Sequence, residues 1–230
     1  LFFSLPPVQK TSSPRQPLRW WTALRQPRFV LFIAAYSAWL LSYNQLYLAL
    51  PVEIERAGGS DKDLGPLFML ASLLIILFQL PLARLARAVG PAWSLPTGFV
   101  LVSASFLSVA CFAAQAPAAG WLRLLPAACF VTLLTVGQML LVPAAKDVVP
   151  RFAAEATLGA HYGALASAGG FAVLAGNFLF GDLLDLALLP SAQARYPWLL
   201  LALFPLCSAG VLAILCRQMR DPGGRRGLDN

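Results

Sequence analysis

Six long apolar runs decide most of what this chain can become. They cover residues 29–51, 66–82, 92–114, 121–143, 161–186 and 197–216, and four of the six contain no charged residue at all. Each is near the ~20 residues that an α-helix, rising ~1.5 Å per residue, needs to cross ~30 Å of hydrocarbon. A backbone immersed in lipid has to satisfy its own hydrogen bonds, so runs of this length are read as transmembrane helices. The expected fold is therefore all-α: a polytopic bundle of six membrane-spanning helices over residues 29–216, preceded by an interfacial segment, 1–28, and followed by a basic tail, 217–230.

The composition agrees with a bilayer rather than a soluble core. Of the 230 residues, 59% are hydrophobic and only 12% charged, with a mean hydropathy of +0.71. The net charge of +7 would suggest a nucleic-acid partner if the bases shared one folded face. Here they sit in short connections between apolar runs, where membrane topology accounts for them, so no nucleic-acid partner is expected. The chain opens on Leu1, and "LFFSLPP" has the look of the end of an earlier apolar segment, so the chain is expected to be a piece of a longer one, with no signal peptide. The stretch up to Arg28, with five basic residues and the pair Trp20 and Trp21, suits the headgroup region.

Orientation follows from lysine and arginine. With both chain ends on one side, that side carries 13 of them, and only Arg56, Lys62, Arg123 and Arg195 lie opposite. The positive-inside rule then predicts cytoplasmic ends in a plasma membrane, the bacterial inner membrane. The acidic stretch "VEIERAGGSDKDLG" is expected to be a solvated outer loop, turning at Gly58-Gly59.

Polar residues inside the runs are the candidates for function. At ~100° per residue Tyr36, Trp39, Tyr43 and Tyr47 share a sector of about 80°, with Asn44 on its border. Lipid does not satisfy hydroxyl and amide groups, so this face is expected to meet protein or an aqueous cavity, while Gln45 points to a neighbouring helix and a bond across that contact. In the fourth run Thr132, Thr135 and Gln138 cover about 120°, with Met139 beside them. In the fifth, Gly163, Ser167, Gly170, Asn177 and Gly181 lie within about 80° and form a strip on which another backbone can pack closely. Asp182 and Asp185 fall at the mouth of that run, where carboxylates are usually hydrated.

Enzyme signatures are missing: there is no G-x-x-x-x-G-K-[ST], H-E-x-x-H or G-x-S-x-G pattern. Cys111, Cys129, Cys207 and Cys216 stand singly, and His161, the one histidine, has no ligand partner in sequence and reads as a loop or helix-start residue. No catalytic residue, metal or cofactor is expected.

Three stretches carry a family likeness. "YNQLYLALPVEIERAGGS" resembles the seventh helix and following loop of major facilitator superfamily transporters. "FQLPLARLARAVGPAWSL", with Arg84, Arg87 and Gly90, resembles the second, degenerate copy of that family's basic loop motif, although the acidic residue of the full motif is absent. "VPRFAAEATLGAHYGALASAGGF" is similar to the connection into its eleventh helix, with Glu155, Gly159, Tyr162 and Gly163 matching and Leu158 where an arginine is common. The likeness covers nearly the whole chain as the C-terminal half of such a transporter, closest in style to bacterial drug-proton antiporters, with sugar and other metabolite carriers open as alternatives. It implies secondary transport of a small amphipathic solute by alternating access, with proton-coupled efflux as one mode, and an N-terminal six-helix half as partner, in the same chain or a separate one. It also implies that the first and fourth spans line the central cavity, the second and fifth border it, and the third and sixth face lipid. The solute-binding set would be Tyr36, Trp39, Tyr43, Asn44, Tyr47, Thr132, Thr135, Gln138 and Asn177, with Arg84, Arg87 and Gly90 as a conformational loop motif. A non-transporting scaffold or a half-size subunit is the alternative reading.

Overall fold

The computed structural model describes residues 21–220. The "LFFSLPP" segment, the basic residues up to Arg19, and Arg225 and Arg226 lie outside the described residues. Within them all regular structure is helical. A one-turn helix α1 (Trp21–Leu24) leads into α2 (Pro27–Arg56), α3 (Leu64–Val89), α4 (Pro91–Phe112), α5 (Leu125–Val148), α6 (Leu158–Leu184) and α7 (Arg195–Arg220). The last six are long and apolar enough to cross a membrane. They contain the six expected spans almost completely but overrun most of them. Pro27 and Arg28, assigned to the leading segment, already form the first turn of α2, and Arg217 to Arg220 prolong α7 rather than begin a tail.

Local chemistry explains the boundaries. Proline opens α2 and α4, where its missing N–H costs nothing. α2 ends in a motif that needs glycine: Gly58, at φ 68°, turns the chain so that its own N–H reaches the Glu55 carbonyl at 2.9 Å and that of Gly59 reaches Ile54 at 2.8 Å. Gly90, at φ 79°, separates α3 from α4 in a single residue, and Ser94 Oγ donates to the Ala86 carbonyl at 3.0 Å across that corner. "RLAR" is therefore not a loop: Arg84 and Arg87 ride on the exposed last turns of α3, and only Gly90 forms the corner between α3 and α4.

The helices pack as two triplets of like arrangement. α2 lies against α6 and α7; α5 lies against α3 and α4; α4 and α7 meet each other. Exchanging α2, α3, α4 for α5, α6, α7 maps these pairings onto themselves, although α4 and α5 meet far more extensively than α7 and α2, and corresponding helices run in opposite directions. The core is aromatic and aliphatic, with Phe99, Phe106, Phe130 and Trp198 fully buried at the meeting of α4, α5 and α7. Ser103 Oγ donates to the Ala202 carbonyl at 2.8 Å and ties α4 to α7.

Burial within the chain is uneven. The third and sixth spans, α4 and α7, have 50% and 44% of their most apolar stretch buried, whereas the second and fifth, α3 and α6, have only 11% and 17%. The faces left open are thus chiefly those of α3, with Met69, Ile76 and Leu80, and of α6, with Phe171, Leu174 and Phe178.

Candidate functional site

The aromatic stripe of α2 is continuous, but it changes character along its length. Tyr36 is buried, stacked on Phe32 at 5.8 Å between ring centroids and edge-on to Phe99 of α4 at 6.3 Å. Trp39 is also buried, 5.3 Å from Tyr43. These two belong to the inter-helix core and do not front an open space. Tyr43 is half-buried and Tyr47 is 56% exposed. Their rings stand edge to face at 6.0 Å with the hydroxyls 3.5 Å apart, and Tyr47 stacks on Phe68 of α3. The open part of the stripe is therefore the pair Tyr43 and Tyr47, with polar tips adjacent and unspent hydrogen-bonding capacity.

Asn44, on the border of the stripe, has a buried Oδ1 with no partner. The same holds for Asn177 Oδ1 on α6, the helix that packs on α2. Leu40 and Leu41 of α2 sit where a Cβ on Gly169 or Gly176 of α6 would be. These two glycines, and not the strip of Gly163, Ser167, Gly170 and Gly181, let α2 and α6 approach closely. That strip remains open, since a Cβ added at Gly163, Gly170 or Gly181 would meet nothing within 4 Å. Gln45 also departs from expectation. It is fully buried, but its Nε2 turns back to the Leu41 carbonyl in its own helix at 3.5 Å, leaving Oε1 without a partner and making no bond across a contact.

On α5, Thr135 is buried while Thr132 and Gln138 are half-buried. Met139 is completely enclosed and acts as core. Because α2 and α5 touch, the half-buried residues Tyr43, Asn44, Thr132 and Gln138 belong to neighbouring helices. A separate cleft of about 520 Å³ lies between α2, α6 and α7, lined by Ser37, Ala38, Gly176, Phe180, Phe204 and Ser208. Its lining is largely apolar and includes none of the tyrosines.

Two charged residues carry more than the sequence implied. Glu53 and Arg56, expected in a solvated loop, occupy the last turn of α2, where both side chains are almost wholly buried. The pair is bidentate: Arg56 Nε and Nη2 each donate to a Glu53 carboxylate oxygen at 2.7 Å, and Nη1 donates to the Gln115 carbonyl beyond α4 at 3.2 Å. At the same end Arg123 donates to the Gly58 carbonyl at 3.0 Å and to Asp63 at 3.2 Å. The signal in sequence was the i, i+3 spacing of Glu53 and Arg56 directly after an apolar run. His161 likewise lies in the first turn of α6, buried, with Nδ1 2.9 Å from the Thr157 carbonyl and its ring 4.6 Å from that of Phe29. Asp182 and Asp185 are exposed.

Among the described residues no group of three histidine, cysteine or carboxylate side chains could hold a metal ion, and all four cysteines are free. Among the described residues, hydroxyl and carboxamide groups lie on two adjoining long helices, α2 and α5, with the aromatic stripe on α2. Compared with protein families, with curated proteins and with solved structures, the chain finds no match.

Proposed function

We propose that the chain is one half of a secondary membrane transporter of the major facilitator type, moving a small amphipathic solute by alternating access, with both ends of the chain cytoplasmic. The observation that carries this reading is the exchange of α2, α3, α4 for α5, α6, α7 in the packing pattern. Inverted repeats of this kind place a binding site at the repeat interface near the bilayer midplane and let rigid bundles rock about it. α2 and α5, the first helices of the two repeats, carry the hydroxyls of Tyr43 and Tyr47, with Asn44, Thr132 and Gln138. Tyr43 and Tyr47 supply ring faces, and Asn44, Gln138 and Asn177 supply donors and acceptors that a solute can occupy. Proton-coupled efflux is one mode this reading admits, and a coupling acid would then belong to the other half.

A carrier binds its solute, so thermal stability of the purified full-length protein should rise as solute is added. Titration with amphipathic cations such as tetraphenylphosphonium, and with neutral sugars, tests this directly. The reading predicts a rise with at least one class, weakened in Tyr43→Ala and Gln138→Ala. A flat response to every class, together with no uptake or efflux in vesicles, would sink it.

One observation favours the second reading, a half-size subunit or scaffold that joins another membrane protein. The exposed apolar faces of α3 and α6 and the open glycine strip of α6 are shaped for another helix bundle. Association without any solute response would support that reading instead.

A further inference from the structure

The end of the bundle where α2 begins carries a basic pocket that the transport reading does not use. Its volume is about 480 Å³, and it is formed by Arg25, Arg28, Arg151, Phe152 and Met219 with the Gln26-Pro27 corner. Three separate parts of the chain meet there: the start of α2, the turn after α5, and the end of α7. Among the described residues the ion pairs are Glu53 with Arg56 and Asp63 with Arg123, both at the opposite end of the bundle. Among the described residues the three arginines of the pocket are exposed and form no ion pair, and no carboxylate lines it. Asp147 and Glu155, the acids nearest in sequence to Arg151, form no ion pair with them. The floor is apolar: Phe152 packs 5.5 Å from Phe29 and 5.8 Å from Phe32. Just along α2, Val30 and Leu31 present exposed aliphatic side chains.

Three guanidinium groups with no counter-charge among the described residues, set at the rim of an apolar wall, match a ligand that is anionic at one end and greasy at the other. Guanidinium binds phosphate oxygens through paired N–H donors, and basic pockets between helices at the cytoplasmic end of a bundle suit acidic lipid headgroups. We propose that this pocket binds the phosphate headgroup of an anionic phospholipid, held by Arg25, Arg28 and Arg151, with an acyl chain running along Val30 and Leu31. The inference rests on the helices crossing a bilayer, and not on the chain transporting anything. A soluble phosphate shares the headgroup chemistry but leaves the aliphatic wall uncovered, which is why the lipid is chosen.

The test is a titration of the detergent-purified full-length protein with dioleoylphosphatidylglycerol, dioleoylphosphatidylcholine or inorganic phosphate, following the thermal midpoint and counting retained lipids by native mass spectrometry. The expected result is a rise with phosphatidylglycerol alone. Arg28→Gln and Arg151→Gln should each weaken the apparent affinity about fivefold, while Arg195→Gln, at the other end of the bundle, should leave it unchanged. Equal stabilisation by phosphatidylcholine overturns the proposal, as does undiminished lipid retention in the folded fraction of Arg151→Gln. Inorganic phosphate acting as strongly as the lipid, and losing its effect in Arg151→Gln, would overturn the lipid in favour of a soluble anion. None of these outcomes depends on a transport assay, so the pocket and the transport reading fail separately.

Discussion

Gly98 of α4 and Gly137 of α5 face each other backbone to backbone. A Cβ on Gly98 would come within 3.0 Å of the Gly137 carbonyl oxygen, and one on Gly137 within 2.9 Å of the Gly98 carbonyl oxygen. Helices in lipid gain little from hydrophobic burial against each other, so close contact between small residues is what holds such a pair. The neighbours are not free to retreat, because Leu141 and Val102 already fill the flanks of the crossing.

The first prediction follows from that contact. Gly98→Ala and Gly137→Ala should each destabilise the bundle by about 1–3 kcal/mol, the usual penalty for overpacking a filled contact. Gly163→Ala, where an added methyl meets only open space, should be near neutral. Thermal unfolding of the purified protein, read by loss of monodispersity, orders the three variants.

The Glu53 and Arg56 pair gives a second, opposite in logic. A buried ion pair contributes little against an apolar replacement, yet losing one member strands a charge and costs about 3–5 kcal/mol. Glu53→Leu or Arg56→Leu alone should therefore be severe, and Glu53→Leu with Arg56→Leu should recover much of the loss. Recovery will be incomplete, since the Arg56 bond to the Gln115 carbonyl, which ties α2 to the end of α4, is lost as well. Strict additivity of the single effects in this double-mutant cycle would contradict a direct coupling.

Gly90 gives a third. Its φ of 79° is a conformation that a Cβ disfavours, so Gly90→Ala should cost about 1–2 kcal/mol even though no atom lies in the way of the methyl. Gly65→Ala, inside α3 with equally open surroundings, should gain stability slightly. Comparing the two thermal midpoints separates backbone strain from steric crowding.

How much of this was legible beforehand depends on which force decided it. The six helices were, because long apolar runs leave the backbone no alternative in lipid, and the Gly58-Gly59 turn was, because only glycine closes that kind of helix end cheaply. The fate of Glu53 and Arg56 was not: hydropathy ends a span at the first charge, whereas a charge that finds a partner one turn away lets the helix continue. Choosing between the two glycine faces of α6 was equally out of reach. Gly163, Gly170 and Gly181 make the tidier strip, but it is Leu40 and Leu41 of a distant helix that single out Gly169 and Gly176. For the same reason angular position along α2 grouped Tyr36 with Tyr47, and only the approach of Phe99 divides the stripe into core and open halves.

The last prediction sets stability against binding. Asn44 Oδ1 and Asn177 Oδ1 are buried without partners, and each unsatisfied group of this kind costs about 1–3 kcal/mol. A protein that keeps two such groups on adjoining helices gives up stability there, and on the transport reading this is where the solute is met. Asn44→Leu with Asn177→Leu should therefore raise the thermal midpoint of the solute-free protein while abolishing any further rise on adding solute. If the carboxamides serve only to join helices, the same double variant should lower the midpoint. The sign of the shift, measured on solute-free protein before any substrate is known, thus separates a binding role from a helix-joining role for these carboxamides.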